Sequence, residues 1–194
     1  MSTIFQDGIE FVLPGVYKAY RCSWADDLLK KGVLYFTNIE IFREDEDPQR
    51  GDLMECVSIT IRQGVRCTAV YANPIFVWCS TMETDPFLIL NTWKDRDTVV
   101  QITDTLQFAV RIRDAAVRLR PKIHGLKVGP VTYDKDEGSY SAYHWVEGIF
   151  QKNVRFSSQK EFRFALVGDF GIQKDKNVVL ELGDCSDIAR IVKL

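Results

Sequence analysis

Phe156-Ser-Ser-Gln-Lys-Glu-Phe-Arg-Phe-Ala-Leu166 is the stretch on which the reading of this chain turns. Charged and apolar residues alternate through Lys160, Glu161, Phe162, Arg163 and Phe164, the period of a strand with one buried face. Gln159 and Glu161 stand two apart, so this reading puts both side chains on one side of the strand's beginning. A carboxylate carried there by a rigid element is a candidate catalytic group. The competing reading pairs Glu161 with Arg163 across a wet sheet face and attaches no chemistry to either.

Outward from this segment, most of the chain predicts strands. Leu13-Pro-Gly-Val-Tyr-Lys-Ala-Tyr-Arg-Cys22 opens on a turn and runs into a short aromatic strand that ends near Arg21. Ser23, with Asp26 three residues later, predicts a cap for a helix from Trp24 to Lys31 that stops at Gly32 and buries Leu28 and Leu29. Val33 to Thr37 follows as a strand. Cys56 to Arg62 and Arg66 to Tyr71 predict a hairpin turning near Gly64, and Ile75 to Cys79 is a continuous apolar run, expected as an interior strand ending in Ser80-Thr81. Phe87 to Trp93 fits helix or strand equally. Asp104 predicts a helix N-terminus, with Phe108, Ile112, Ala115, Ala116 and Leu119 on one face and Pro121 as the stop. Lys127 to Tyr133 predicts an edge or bulged strand because Gly129-Pro130 interrupts it. Val178 to Leu182 and Ile188 to Val192 close the chain. Many short strands with few helices predict an α+β fold of mostly antiparallel, twisted sheets split around a cleft. No repeat or linker divides residues 1–194, so a single domain is expected.

Composition excludes more than it assigns. Lys and Arg total 25 against 27 Asp and Glu, a net charge of -2, which gives no long-range pull toward nucleic acid or an anionic membrane. No segment approaches the ~20 apolar residues of a membrane span. Met1 to Glu10 lacks the basic start and apolar run of a secretory signal, so a cytoplasmic protein is expected. Five widely spaced cysteines (22, 56, 67, 79 and 185) with no Cys-x-x-Cys pair predict reduced thiols. A zinc site from the first four has no local support, and no metal is expected. Asp45, Asp47, Asp52 and Glu55 could supply calcium with oxygens, but Pro48 and the spacing break the EF-hand pattern. Glu44 to Asp52 therefore predicts a solvated loop.

Strong short motifs are missing. There is no Gly-x-Gly-x-x-Gly, P-loop, His-Glu-x-x-His or Gly-x-Ser-x-Gly. His144, between Tyr143 and Trp145, reads as a packed aromatic neighbour, and His124 stands far from it. Three positions do combine: Arg21 at a strand end, Ser80-Thr81 at another, and Gln159-x-Glu161 at a third. If those strands are neighbours, a guanidinium can clamp a diphosphate, the hydroxyls can hold a ribose or the adjacent strand, and the carboxylate can steady a sugar cation. Singly, each residue reads as structural.

The order Arg, Ser-Thr, Gln-x-Glu resembles the Arg-Ser-Glu branch of the ADP-ribosyltransferase superfamily. The resemblance implies a cleft that binds NAD as substrate, with Arg21 on its phosphates, Ser80 and Thr81 supporting the pocket, Glu161 assisting departure of nicotinamide and Gln159 orienting an unidentified macromolecular acceptor such as a protein. Met82 departs from the family's Ser-Thr-Ser, and the separation of Ser80 from Glu161 is long. Nearly the whole chain is also similar to a group of uncharacterised bacterial and phage proteins associated with that fold. The shared features are Tyr17 to Phe36, the Arg50 to Glu55 loop, Cys79-Ser80, Phe150-Gln-Lys152 and Glu161-Phe-Arg163. That similarity adds Phe42, Arg43, Asp52 and Glu55 as cleft-rim candidates. Two other expectations stand beside the transferase: a non-enzymatic protein-protein interaction module with the Glu44 to Asp52 loop as its charged surface, favoured by an exposed aromatic patch beside that loop together with a salt-bridged Glu161 and no cavity nearby, and nucleic-acid binding through Arg111, Arg113, Arg118, Arg120 and Lys122.

Overall fold

The computed structural model describes residues 2–6, 9–44, 51, 58–62, 65–69, 74–119, 123–133, 148–168 and 177–193. In chain order the strands are β1 (Ser2–Gln6), β2 (Ile9–Leu13), β3 (Val16–Tyr20), β4 (Val33–Asn38), β5 (Ser58–Arg62), β6 (Val65–Ala69), β7 (Ile75–Thr81), β8 (Thr98–Ile102), β9 (Ile123–Pro130), β10 (Glu161–Gly168), β11 (Val178–Glu181) and β12 (Ala189–Val192). The helices are α1 (Cys22–Lys31), α2 (Ile39–Glu44), α3 (Pro86–Thr92) and α4 (Thr105–Leu119), with 3-10 turns at Gly148–Phe150 and Val154–Gln159. The main sheet is open, in the order β11-β4-β7-β3-β8-β12, with β10 joining β7 and β9. Its pairings of β3 with β8 and β7, β8 with β12, and β4 with β7 are antiparallel. So are the hairpins β1-β2 and β5-β6. The α+β, antiparallel expectation is met.

The chain forms two compact units. The first comprises Met1–Tyr35, Cys79–Ile123 and Val179–Leu194. In it α1 ends as the sequence predicts: Gly32 takes a left-handed conformation (φ 65°), and its N–H returns to Leu28 O. The start differs. The helix begins at Cys22 with Arg21, the extended residue that directly follows β3, as its cap, so Ser23 lies inside the first turn. Arg21 O accepts the N–H groups of Trp24 and Ala25, which fixes the turn through the main chain while Ser23 stays exposed. Asp104 caps α4 as expected, accepting from Gln107 N at 2.9 Å. Phe108, Ile112, Ala115 and Ala116 are buried on its inner face, whereas Leu119, in the last turn, is 45% exposed. Phe87 to Trp93 resolves as helix: Pro86 suits a first turn, and Asp85 Oδ1 accepts from Phe87 N.

The second unit comprises Phe36–Trp78 and His124–Val178. Its core gathers Phe36, Phe76, Trp78, Phe156, Phe162 and Phe164, with Trp78 edge-on to Phe164 at 5.4 Å. Here the expectation of one wet strand face fails. All eight residues of β10 are buried, Glu161 and Arg163 included. Gln159 is not on the strand: it ends the 3-10 turn, and Lys160, at φ 43°, reverses the chain into β10. Hydrophobic alternation cannot separate a charge in water from one buried against its partner, and β10 is the second case.

Candidate functional site

The cluster that forms around Glu161 lies wholly within the second unit. Asn153 starts the 3-10 turn by accepting from Arg155 N, so residues 154–159 coil between Lys152 and β10. The main chain on the other side is pinned as well. Thr132 N donates to Phe150 O, Lys152 N donates to Thr132 O, and Val131 N donates to Glu161 O. Glu161 N in turn donates to the Tyr133 hydroxyl at 2.7 Å. These bonds bring Lys152 and Glu161 together although nine positions separate them.

Both carboxylate oxygens of Glu161 are engaged. Arg163 donates Nε to Oε1 at 2.7 Å and Nη2 to Oε2 at 3.2 Å. Lys152 Nζ donates to Oε2 at 3.0 Å and to Gln159 Oε1 at 2.9 Å. Arg163 spends Nη1 on Ile149 O at 2.6 Å. Lys152 is 5% exposed, Glu161 5% and Arg163 2%, so water neither screens nor replaces these bonds. The Lys152 ammonium also lies 4.9 Å from the centre of the Phe156 ring, which Arg155 approaches at 4.5 Å. Arg155 further donates to Gly51 O. Arranged so, the carboxylate holds two cations and two chain segments in place. To steady a sugar cation it would have to approach within ~3–3.5 Å of the reacting carbon, and its oxygens are already taken by fixed donors.

Of the residues singled out from sequence, Gln159 and Glu161 therefore meet, through Lys152. Arg21, Ser80 and Thr81 lie in the first unit. Ser80 and Thr81 are 6% exposed at the end of β7, where Thr81 pairs with Tyr17 and its hydroxyl accepts from Glu83 N at 3.0 Å. Arg21 is exposed, with its guanidinium over Trp24. Phe42 and Arg43 are half-buried on α2, and Glu44, read from sequence as the start of the acidic loop, is the last residue of that helix; of the rest of the loop only Gly51 is described, and Asp52, Glu55 and His144 lie outside the described residues. Lys152 carries the cluster yet is absent from the sequence-derived site. The available signal was the shared pattern Phe150-x-Lys152 and Glu161-x-Arg163, whose four residues nothing local links.

Among the described residues no group of three His, Cys, Asp or Glu side chains is arranged to hold a metal. Cys22 is exposed and Cys79 half-buried, while Cys56 and the Cys67 side chain lie outside the description. In the basic stretch, Arg111 bonds Asp187 and Asp184 O, Arg113 bonds Asp114, and Arg118 reaches Glu181 O. Arg120 and Lys122 are outside the description. Among the described residues no helix is long and apolar enough to cross a membrane. Comparison of the chain with protein-family models, curated proteins and solved structures gave no match.

Proposed function

We propose that this chain is a non-enzymatic protein-protein interaction module in which Glu161 serves the architecture rather than a reaction. The observation that carries the reading is the commitment of both Glu161 oxygens to Arg163 and Lys152 in a site nine-tenths or more buried. A carboxylate so placed stabilises cations that belong to the fold, and releasing it would leave two buried charges poorly compensated. The arrangement does not fit the demands of NAD cleavage, which needs a carboxylate facing the ribose.

The ADP-ribosyltransferase reading keeps one observation in its favour: Gln159 and Glu161, the pair it requires, meet at a single ammonium group. One titration separates the two. NAD is added to the folded protein up to millimolar concentration while thermal stability and nicotinamide release are followed. The interaction reading expects neither a shift nor release. Release that Glu161→Gln abolishes while NAD binding persists would overturn it.

A further inference from the structure

We propose that Arg21, Trp24 and Arg96 form an anchoring surface for an acidic segment of a partner protein, a proposal that rests on the interaction reading and gives it a partner chemistry. Arg21 caps α1 from an extended conformation and Trp24 follows in the first turn. The Arg21 guanidinium carbon stands 5.3 Å from the centre of the indole ring, and Arg96 approaches the same ring at 4.9 Å. The chain after α3 is held beside the start of α1 by the bond from Asp97 N to Tyr20 O, so Arg96 is delivered there by main-chain geometry. Trp24 nonetheless keeps 43% of its surface exposed.

Tryptophan and arginine are the residue types that most often dominate binding at protein interfaces. Here the indole restrains two guanidiniums, so less side-chain freedom is lost when they bind a partner. Among the described residues the Arg21 guanidinium has no hydrogen-bonded acceptor. Arg96 bonds Asp95 at 2.7 Å, with side chains 23% and 57% exposed, so solvent reaches the aspartate side of the pair and a partner carboxylate has to compete with Asp95 for the guanidinium. Two planar forks beside an apolar ring suit carboxylates flanking an apolar side chain. A nucleic-acid backbone suits the surface less. Asp26, Asp27, Asp95 and Asp97 neighbour the cluster in sequence; they disfavour a continuous run of phosphates and restrict an acidic partner to a few carboxylates set on the two guanidiniums.

The test is fluorescence anisotropy with a fluorescein-labelled synthetic peptide of two central phenylalanines flanked by glutamates. A lysine-flanked peptide and a thymidine oligonucleotide serve as comparisons. The acidic peptide is expected to bind, more weakly as salt rises, and to lose about tenfold or more in affinity in Trp24→Ala and in Arg21→Glu combined with Arg96→Glu. Arg21→Lys, which keeps the charge and loses the fork, should fall between. Circular dichroism shows whether each variant is folded, and Arg21→Lys serves if Trp24→Ala is not. Failure of the acidic peptide to bind overturns the proposal. So does equal affinity in folded variants, or tighter, Arg21-dependent binding of the oligonucleotide. With NAD silent, such a failure removes this surface and leaves the interaction reading in place. Glu161-dependent nicotinamide release removes that reading itself.

Discussion

On α1, Lys30 and Lys31 reach back four residues to Asp26 and Asp27 at 2.9 Å each, with the lysine side chains 70% and 68% exposed. Lys152 meets Glu161 at 3.0 Å, with side chains 7% and 6% exposed. The distances are nearly equal, so length says almost nothing about what each pair contributes. In water the attraction is screened and offset by lost side-chain freedom. In the interior, both charges have left water, and removing one partner leaves the other without its solvent or its counter-ion. The surface pairs are dispensable; the buried cluster is an obligation of the fold.

The most severe way to break this comparison is Glu161→Ala. It should cost about 3–5 kcal/mol, the penalty of leaving buried cations unpaired. Urea unfolding followed by tryptophan fluorescence reads it, because Trp78 packs on Phe164 in the same unit. Glu161→Gln should also lose stability, since an amide cannot accept from two cations as a carboxylate does. Unchanged midpoints in both variants would show the carboxylate to be structurally idle and return the transferase reading to the front.

Gly32→Ala sharpens the contrast from the other side, by asking what does hold α1. Gly32 sits at φ 65°, and a Cβ there would lie 2.4 Å from Gly183 O and 2.7 Å from Leu182 Cβ. Leu182 N and Gly183 N donate to Gly32 O and Lys31 O across the same approach. The left-handed backbone alone costs a residue with a Cβ roughly 1–2 kcal/mol, and the clash adds to it. A thermal melt of Gly32→Ala should therefore fall well below that of a variant lacking both surface lysines.

The same division explains what the sequence made legible. Gly32 as a stop, Asp104 as a cap and the inner face of α4 were all readable, because each depends on residues within a few positions of one another. The helix start was misread by two residues. Ser23 has a cap's chemistry, but the main-chain carbonyl of Arg21 closed the first turn earlier. The segment 152–163 was the hardest. Its charges alternate as they would on a half-wet strand, and only the reversal at Lys160 and the turn at 154–159 bring Lys152 to Glu161. Those are tertiary facts, carried by bonds from Thr132 and Val131 far upstream. Phe162 and Phe164 declared a buried face; nothing local declared that the opposite face was buried too.

The thiols offer a smaller effect that contrasts depth again. Cys22 is exposed, whereas Cys185 is fully buried. Burial pushes the Cys185 thiol above its usual range, and nearby Arg111 offsets only part of this. Iodoacetamide should label Cys22 in the native protein and Cys185 only on unfolding, which mass spectrometry of peptides distinguishes. Because its folded pKa lies above the unfolded value, the stabilisation linked to Cys185 is complete below the ordinary thiol pKa and is lost as pH rises through the folded value. Urea midpoints should thus decline only as pH rises past the ordinary thiol range, and Cys185→Ala should flatten that decline whatever it does to absolute stability.

The smallest effect is expected from Lys30→Ala combined with Lys31→Ala. Each lysine stands in the last turn of α1, where a cation suits the helix dipole, and each has its aspartate four residues earlier, the favourable order. The hydrogen bonds to Asp26 and Asp27 raise both lysine pKa values, so this contribution is present below the ordinary lysine range and disappears as pH rises through the folded values. Both ammonium groups are nonetheless solvated, and at about 0.15 M salt most of their attraction is screened. The double variant should unfold within experimental error of the parent in 1 M salt and differ from it only slightly in dilute buffer. Glu161→Ala should keep its full deficit at both, because mobile ions do not enter a site from which water is excluded. A double-lysine variant that proved as costly as Glu161→Ala, or a Glu161 deficit that salt erased, would remove burial as the quantity that separates the two sets of pairs.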